Sequence, residues 1–235
     1  MFGAYDIPFK IVNEGLVFSI ENDGELNHYM RDYHGDTLDK YIFSVKNKIL
    51  IHPVEPLNIP KEITSNFLIE FSNTLMVEPQ GVKTIYLKFP IEIGIFISGK
   101  KNIEIIDILS YMPQKFSLYG DPRNGIICKY WYSEIYSTIP AVNPFQEGVM
   151  ELIVRNTTNR WAELTQAVFN AYGMKIYFSK DLVSMKADIK ILGEEIAETY
   201  FINSPIKTGM KKSMELYTVR NLLVSTTRFV MEWGI

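Results

Sequence analysis

Residues 28–36 read His-Tyr-Met-Arg-Asp-Tyr-His-Gly-Asp, a run that sets two of the chain's three histidines beside two aspartates. On a strand, side chains alternate between faces. His28, Met30, Asp32 and His34 would share one row, which Asp36 can extend, while Tyr29, Arg31 and Tyr33 share the other. Imidazoles and carboxylates at alternate positions can converge on one ion such as zinc, the chemistry of a metal-assisted hydrolase or lyase. The competing reading is a solvated row near a hairpin end, with Tyr29 and Tyr33 packed inward and Arg31 snorkelling between them. There is no His-x-His pair and no further ligand at convincing spacing. His28, Asp32 and His34 are the candidate metal ligands, and the expectation is that His28 and His34 bind no metal. His52, before Pro53, is the one histidine left to join them.

A second candidate is Lys129-Tyr130-Trp131-Tyr132-Ser133-Glu134-Ile135-Tyr136, with aromatics on both faces of a strand. Such rings stack on ligands or anchor protein interfaces, so Tyr130, Trp131 and Tyr132 are the expected ligand-binding residues. The plainer alternative buries both faces. Only Lys129 is interleaved, which is too little for single-stranded nucleic acid. Lys207, Lys211 and Lys212 flank Gly209, but match no phosphate-binding loop and read as a solvated hairpin end. Cys128 lies in an apolar strand and reads as a buried, inert thiol. Nucleophile elbow, dinucleotide fingerprint, Walker loop and zinc-protease helix are all missing from the sequence, so no cofactor and no catalytic residue is assigned.

The elements that must position these residues are strands. Isoleucine is abundant, beside 14 Tyr and 14 Phe, the side chains that suit a pleated sheet. From Leu182 to Leu192, Val183, Met185, Ala187, Ile189 and Ile191 alternate with Ser184, Lys186, Asp188 and Lys190, predicting one dry and one wet face. Ile91 to Ser98 alternates too, but Phe96 breaks the pattern and predicts cover on both faces. Turn signals fall at Asn13-Glu14-Gly15, Asn22-Asp23-Gly24, Lys46-Asn47, Gly99–Asn102 and Asp121–Gly125. Residues 160–172 fit strand or one short helix, strand being favoured by the β flanks. These signals predict an all-β, mainly antiparallel protein of two β-sandwich-like domains.

Pro53, Pro56 and Pro60 exclude a central strand there and predict an extended crossover between sheets. Ile139–Pro144 reads as the domain boundary. That gives an N-terminal β domain over 1–140 and an immunoglobulin-like sandwich over 141–235, with strand-like runs beginning near Val149, Trp161, Met174, Leu182, Ile196, Met214 and Leu222.

The 235 residues carry a net charge of −3, which argues against a nucleic-acid backbone as partner. One cysteine excludes an internal disulfide framework, and no apolar run is long enough for a spanning helix, so no membrane partner is expected. With no export signal at the N-terminus, a cytoplasmic location is expected. The stretches Tyr5–Ile11, Gly15–Glu21 and Ala171–Tyr177 resemble an uncharacterised archaeal domain-of-unknown-function family over nearly the whole chain. The resemblance implies an archaeal source and no known activity, cofactor or site residue. The expected function is a non-enzymatic binding or interaction module for a small molecule or protein partner, its surface at the domain junction near Tyr130–Tyr132. The alternative is the metal-assisted enzyme on His28, Asp32 and His34.

Overall fold

The computed structural model describes residues 2–43, 48–60, 63–98, 102–216 and 228–235. Alternating branched, aromatic and polar residues become strands almost throughout. In chain order these are β1 (Gly3–Asp6), β2 (Phe9–Asn13), β3 (Leu16–Asp23), β4 (Leu26–Tyr33), β5 (Asp36–Phe43), β6 (Lys48–Val54), β7 (Asn66–Val77), β8 (Val82–Pro90), β9 (Glu92–Ser98), β10 (Ile103–Leu109), β11 (Phe116–Tyr119), β12 (Ile126–Ser133), β13 (Glu147–Asn156), β14 (Ala162–Asn170), β15 (Tyr177–Phe178), β16 (Val183–Ile191), β17 (Ala197–Ile202), β18 (Lys211–Lys212) and β19 (Phe229–Met231). The protein is all-β and mainly antiparallel.

The chain divides into two compact units. The first comprises Met1–His52 with Gly94–Asp107, the second Pro53–Ile93 with Ile108–Ile235. In the first unit β2-β3-β4-β5 form an antiparallel meander. Its β3–β4 turn uses Asp23-Gly24 as the sequence predicts, with Gly24 at φ 66, where a side chain would be strained. A second sheet runs β1-β6-β9-β10. β9 is buried along both faces, which explains the break in alternation at Phe96.

In the second unit one sheet runs β11-β12-β7-β14 and another β18-β15-β16-β13-β8, with β17 and β19 added beyond β16. Two pairs are parallel, β12 with β7 and β13 with β16. The sheets bury Phe169 against Phe201, ring centroids 5.0 Å apart, and Thr199 Oγ1 donates to the Val168 carbonyl.

Residues 162–170 are strand, followed by a single 3-10 turn at Ala171–Gly173. The expected boundary at 140/141 does not divide the chain. β13, after it, pairs along its length with β8, before it, and both lie in the second unit. Prolines at 140 and 144 mark a connection within that unit. An immunoglobulin-like sandwich over 141–235 would therefore lack one of its own strands' partners. β16 also departs from its expected wet face. It is central, between β13 and β17, and buries Ser184 and Asp188 as well as the apolar row. Arg155 Nε donates to Asp188 Oδ2 at 2.6 Å, which lets that carboxylate leave water. Met214 lies in irregular backbone. The turn at Lys46-Asn47, most of the 99–102 linker and the run near Leu222 lie outside the described residues.

Candidate functional site

The histidine row takes the faces its parity predicts. Met30 and Asp32 are exposed and His28 half-buried, whereas Tyr29 and Arg31 are buried. His28 Nε2 sits 2.6 Å from Asp39 Oδ1 and its ring stacks on Tyr41 at 4.6 Å. Asp32 Oδ1 accepts the Gly35 N–H at 3.0 Å, so it shapes the β4–β5 turn. His34 lies beyond the strand at φ 50, its ring against Tyr33. His52 packs edge-on to Phe96. Among the described residues no three His, Cys, Asp or Glu side chains gather closely enough to hold a metal ion. His28, Asp32 and His34 are thus each engaged in local contacts and are not brought together as a ligand set.

Arg31 differs from its expected snorkelling. It is buried, with Nε donating to Asp107 Oδ2 at 2.7 Å and Nη1 to Asp36 Oδ2 at 2.9 Å. Tyr29 Oη donates to the same Asp107 oxygen at 2.8 Å. Burial and Asp107 together push the Tyr29 hydroxyl far above its usual range.

The aromatic strand β12 does form a concave surface. Met112, Pro113, Lys115, Tyr130, Trp131 and Tyr132 line a cleft of about 250 Å³ within the second unit. Tyr132 is exposed, and Tyr130 Oη donates to Glu70 Oε2 at 2.9 Å. Trp131 shares strand parity with buried Lys129 and Ser133. Its indole Nε1 is buried, with no hydrogen-bond partner among the described residues. Cys128 is buried and its thiol is pushed up to about 12 by that burial, which suits an inert residue. Lys211 and Lys212 form the short exposed strand β18, and Lys212 pairs with Glu215 at 2.8 Å.

A further cluster in the second unit buries three ionisable side chains. Glu55 and Glu92 are buried, at 5% and 0% exposure, and Lys129 is buried beside them at 2%. Glu92 Oε2 accepts the Asn58 N–H at 2.9 Å and Oε1 the Ile59 N–H at 3.3 Å. Lys129 Nζ donates to the Ile59 carbonyl at 3.2 Å, over the Phe116 ring. Asn58 Nδ2 donates to the Glu55 carbonyl at 2.7 Å. Glu55 Oε2 accepts the Leu216 N–H at 3.4 Å. Burial raises both carboxyls to about 7, opposed at Glu55 by backbone N–H groups and at Glu92 by Asn58, Lys129 and Ile59. Burial lowers the Lys129 ammonium, with Glu92 pulling it back up. The sequence shows Glu92 as the one charge in its most apolar stretch. That was the available signal; Glu55 gave none.

An all-β chain of two units, with an aromatic cleft and a buried carboxyl cluster in the second, is the class defined by these observations. The chain belongs to the DUF432 family, proteins of unknown function, whose family model matches residues 1–232. No curated protein matches it, and no solved structure does. Among the described residues no helix is long and apolar enough to cross a membrane.

Proposed function

We propose that the protein is a non-enzymatic binding module whose contact surface is the cleft beside Tyr130, Trp131 and Tyr132. The observation that supports this is the coincidence of an exposed aromatic, Tyr132, with a concavity walled by Met112 and Pro113. Large apolar side chains left facing a cleft lose hydration cost when an apolar ligand or an anchoring side chain fills it. Lys115, exposed at the rim, adds a positive charge. This reading takes a small molecule or a protein as partner, rather than nucleic acid or membrane. It places the protein in the cytoplasm of an archaeal cell, where a lone reduced thiol is at home.

The test uses 8-anilinonaphthalene-1-sulfonate as an apolar probe of the native protein. Saturable fluorescence enhancement at one site per chain is expected, with affinity falling about tenfold in Tyr132→Ala, or about 1.4 kcal/mol. Tyr41→Ala, an exposed aromatic in the first unit, serves as the control and leaves the isotherm unchanged. An isotherm that Tyr132→Ala does not move overturns the assignment.

A further inference from the structure

The cleft beside Tyr130–Tyr132 is walled on one side by a turn that holds its own shape. Ser110 Oγ accepts the Met112 N–H at 3.2 Å, and Gln114 Nε2 donates to the Met112 carbonyl at 2.8 Å. The Lys115 carbonyl then accepts the Tyr130 N–H at 2.9 Å, which continues the β11–β12 register and sets Lys115 opposite Tyr130. Opposite residues of an antiparallel pair share a face, so Lys115 and Tyr130 stand side by side. Among the described residues, Lys115 is the one charged side chain that lines the cleft. Glu70, in register with Tyr132, is not part of that lining and accepts the Tyr130 hydroxyl at 2.9 Å.

We propose that the cleft takes a small amphipathic anion: a flat body of one or two rings carrying a single acidic group, of the aryl carboxylate or aryl sulfonate class. Its rings lie against the aromatic wall and its acidic group meets Lys115 Nζ. This names the ligand class of the contact surface proposed above and rests on that reading.

The physical argument is complementarity. A cleft of about 250 Å³ is smaller than a drug-sized site, which suits one or two rings rather than a protein segment. The apolar wall gains from taking ring surface out of water, and the Tyr and Trp faces add stacking. A polyol is a poorer match, because hydroxyls pressed against Met112 and Pro113 lose water and gain no partner. The charge follows from Lys115. An ammonium beside an apolar surface loses part of its hydration when a ligand covers it. A cationic ligand adds repulsion to that cost, a neutral one leaves it uncompensated, and an anion offsets it with a charge-assisted hydrogen bond. Lysine carries its charge on a flexible stem, so it can follow the acidic group of a ligand whose rings the wall has fixed. Because the 110–115 turn is tied to itself and to β12, the wall is formed before the ligand arrives and binding orders little.

Two dyes that differ by one group provide the test: 8-anilinonaphthalene-1-sulfonate and N-phenyl-1-naphthylamine, the same ring system without the sulfonate. Each is titrated into the whole chain and followed by fluorescence. Lys115→Gln is expected to weaken the sulfonate about fivefold and to leave the neutral dye unchanged, while Lys115→Arg retains most of the affinity. Raising salt from about 0.02 to about 0.5 M weakens the sulfonate alone, an effect that Lys115→Gln removes. Lys180→Gln, at an exposed lysine of the same unit outside the cleft lining, leaves both isotherms unchanged. The outcomes separate the two readings. If Tyr132→Ala moves neither dye, the cleft is not the contact surface and both readings fall. If Tyr132→Ala weakens both dyes, the cleft stands. The anion class is then overturned if Lys115→Gln does not weaken the sulfonate, if salt does not weaken it, or if Lys180→Gln weakens it as much.

Discussion

The two units bury charge in opposite ways. In the first, Arg31 and Asp107 leave water together, each 8% exposed, and Tyr29 and Asp36 join their hydrogen bonding. In the second, among the described residues, Glu55 and Glu92 are buried with backbone donors, the Asn58 side chain and Lys129, whose own charge is disfavoured there. The first arrangement fixes geometry. Asp107 on β10 is reached from two alternate positions of β4, which pins one strand against the other in a single register. The second arrangement leaves a titration unsettled near neutrality. A buried ion pair is a structural tie, whereas a buried carboxyl held mainly by N–H donors is a group whose charge can follow pH.

The largest expected effect breaks the tie. Arg31→Met leaves Asp107 buried without its cation and should cost about 3–5 kcal/mol. Because the first unit contains no tryptophan, the loss should appear in tyrosine near-ultraviolet circular dichroism rather than in tryptophan fluorescence. Replacing Asp107 by Leu in the same chain should recover much of it. A cost below about 1 kcal/mol would mean that the other groups around Asp107 satisfy it without Arg31.

Lys129→Met sharpens the contrast in the second unit. Removing the cation raises the Glu92 carboxyl further, so the variant should lose roughly 1–2 kcal/mol more at about pH 8 than at about pH 5.5. Denaturant melts at the two pH values check this, and an equal loss at both would show that Lys129 acts by packing and its bond to Ile59 alone.

The smallest effect belongs to the exposed pair. His28→Ala removes a contact to an Asp39 side chain that is 61% exposed, and should cost below about 1 kcal/mol in a melt of the whole protein. A larger loss would show that His28 does more than hold Asp39 and stack on Tyr41.

Local pattern revealed much of the fold. Alternation marked β9 and β16, and Asn13-Glu14-Gly15 and Asn22-Asp23-Gly24 marked the turns around β2, β3 and β4, because period and turn chemistry act over a few residues. Parity placed Tyr29 and Arg31 inward and Met30 and Asp32 outward. What local pattern could not show was partnership. Arg31 finds Asp107 far along the chain, and Asp188 is buried because a partner strand supplies Arg155. The proline-rich stretch at 139–144 resembled a boundary because its composition breaks strands. β8 and β13 nevertheless pair across it. Likewise, the aromatic surface at Tyr130–Tyr132 was legible from composition. Glu55 was not, and Glu92 showed only as a lone charge in an apolar stretch, since burial of a carboxyl is decided by chain segments distant in sequence.

The passage of the chain between units also bears on how the protein is made. The first unit closes only when Gly94–Asp107 has joined Met1–His52, so it cannot finish folding as the N-terminus leaves the ribosome. By then β7 and β8 have been synthesised, and their partners β12, β13 and β14 have not. Both nascent strands must wait with unpaired edges and apolar faces, a state open to association with other chains. Slow or interrupted synthesis between residues 90 and 126 is where a cell making this protein would most need a chaperone.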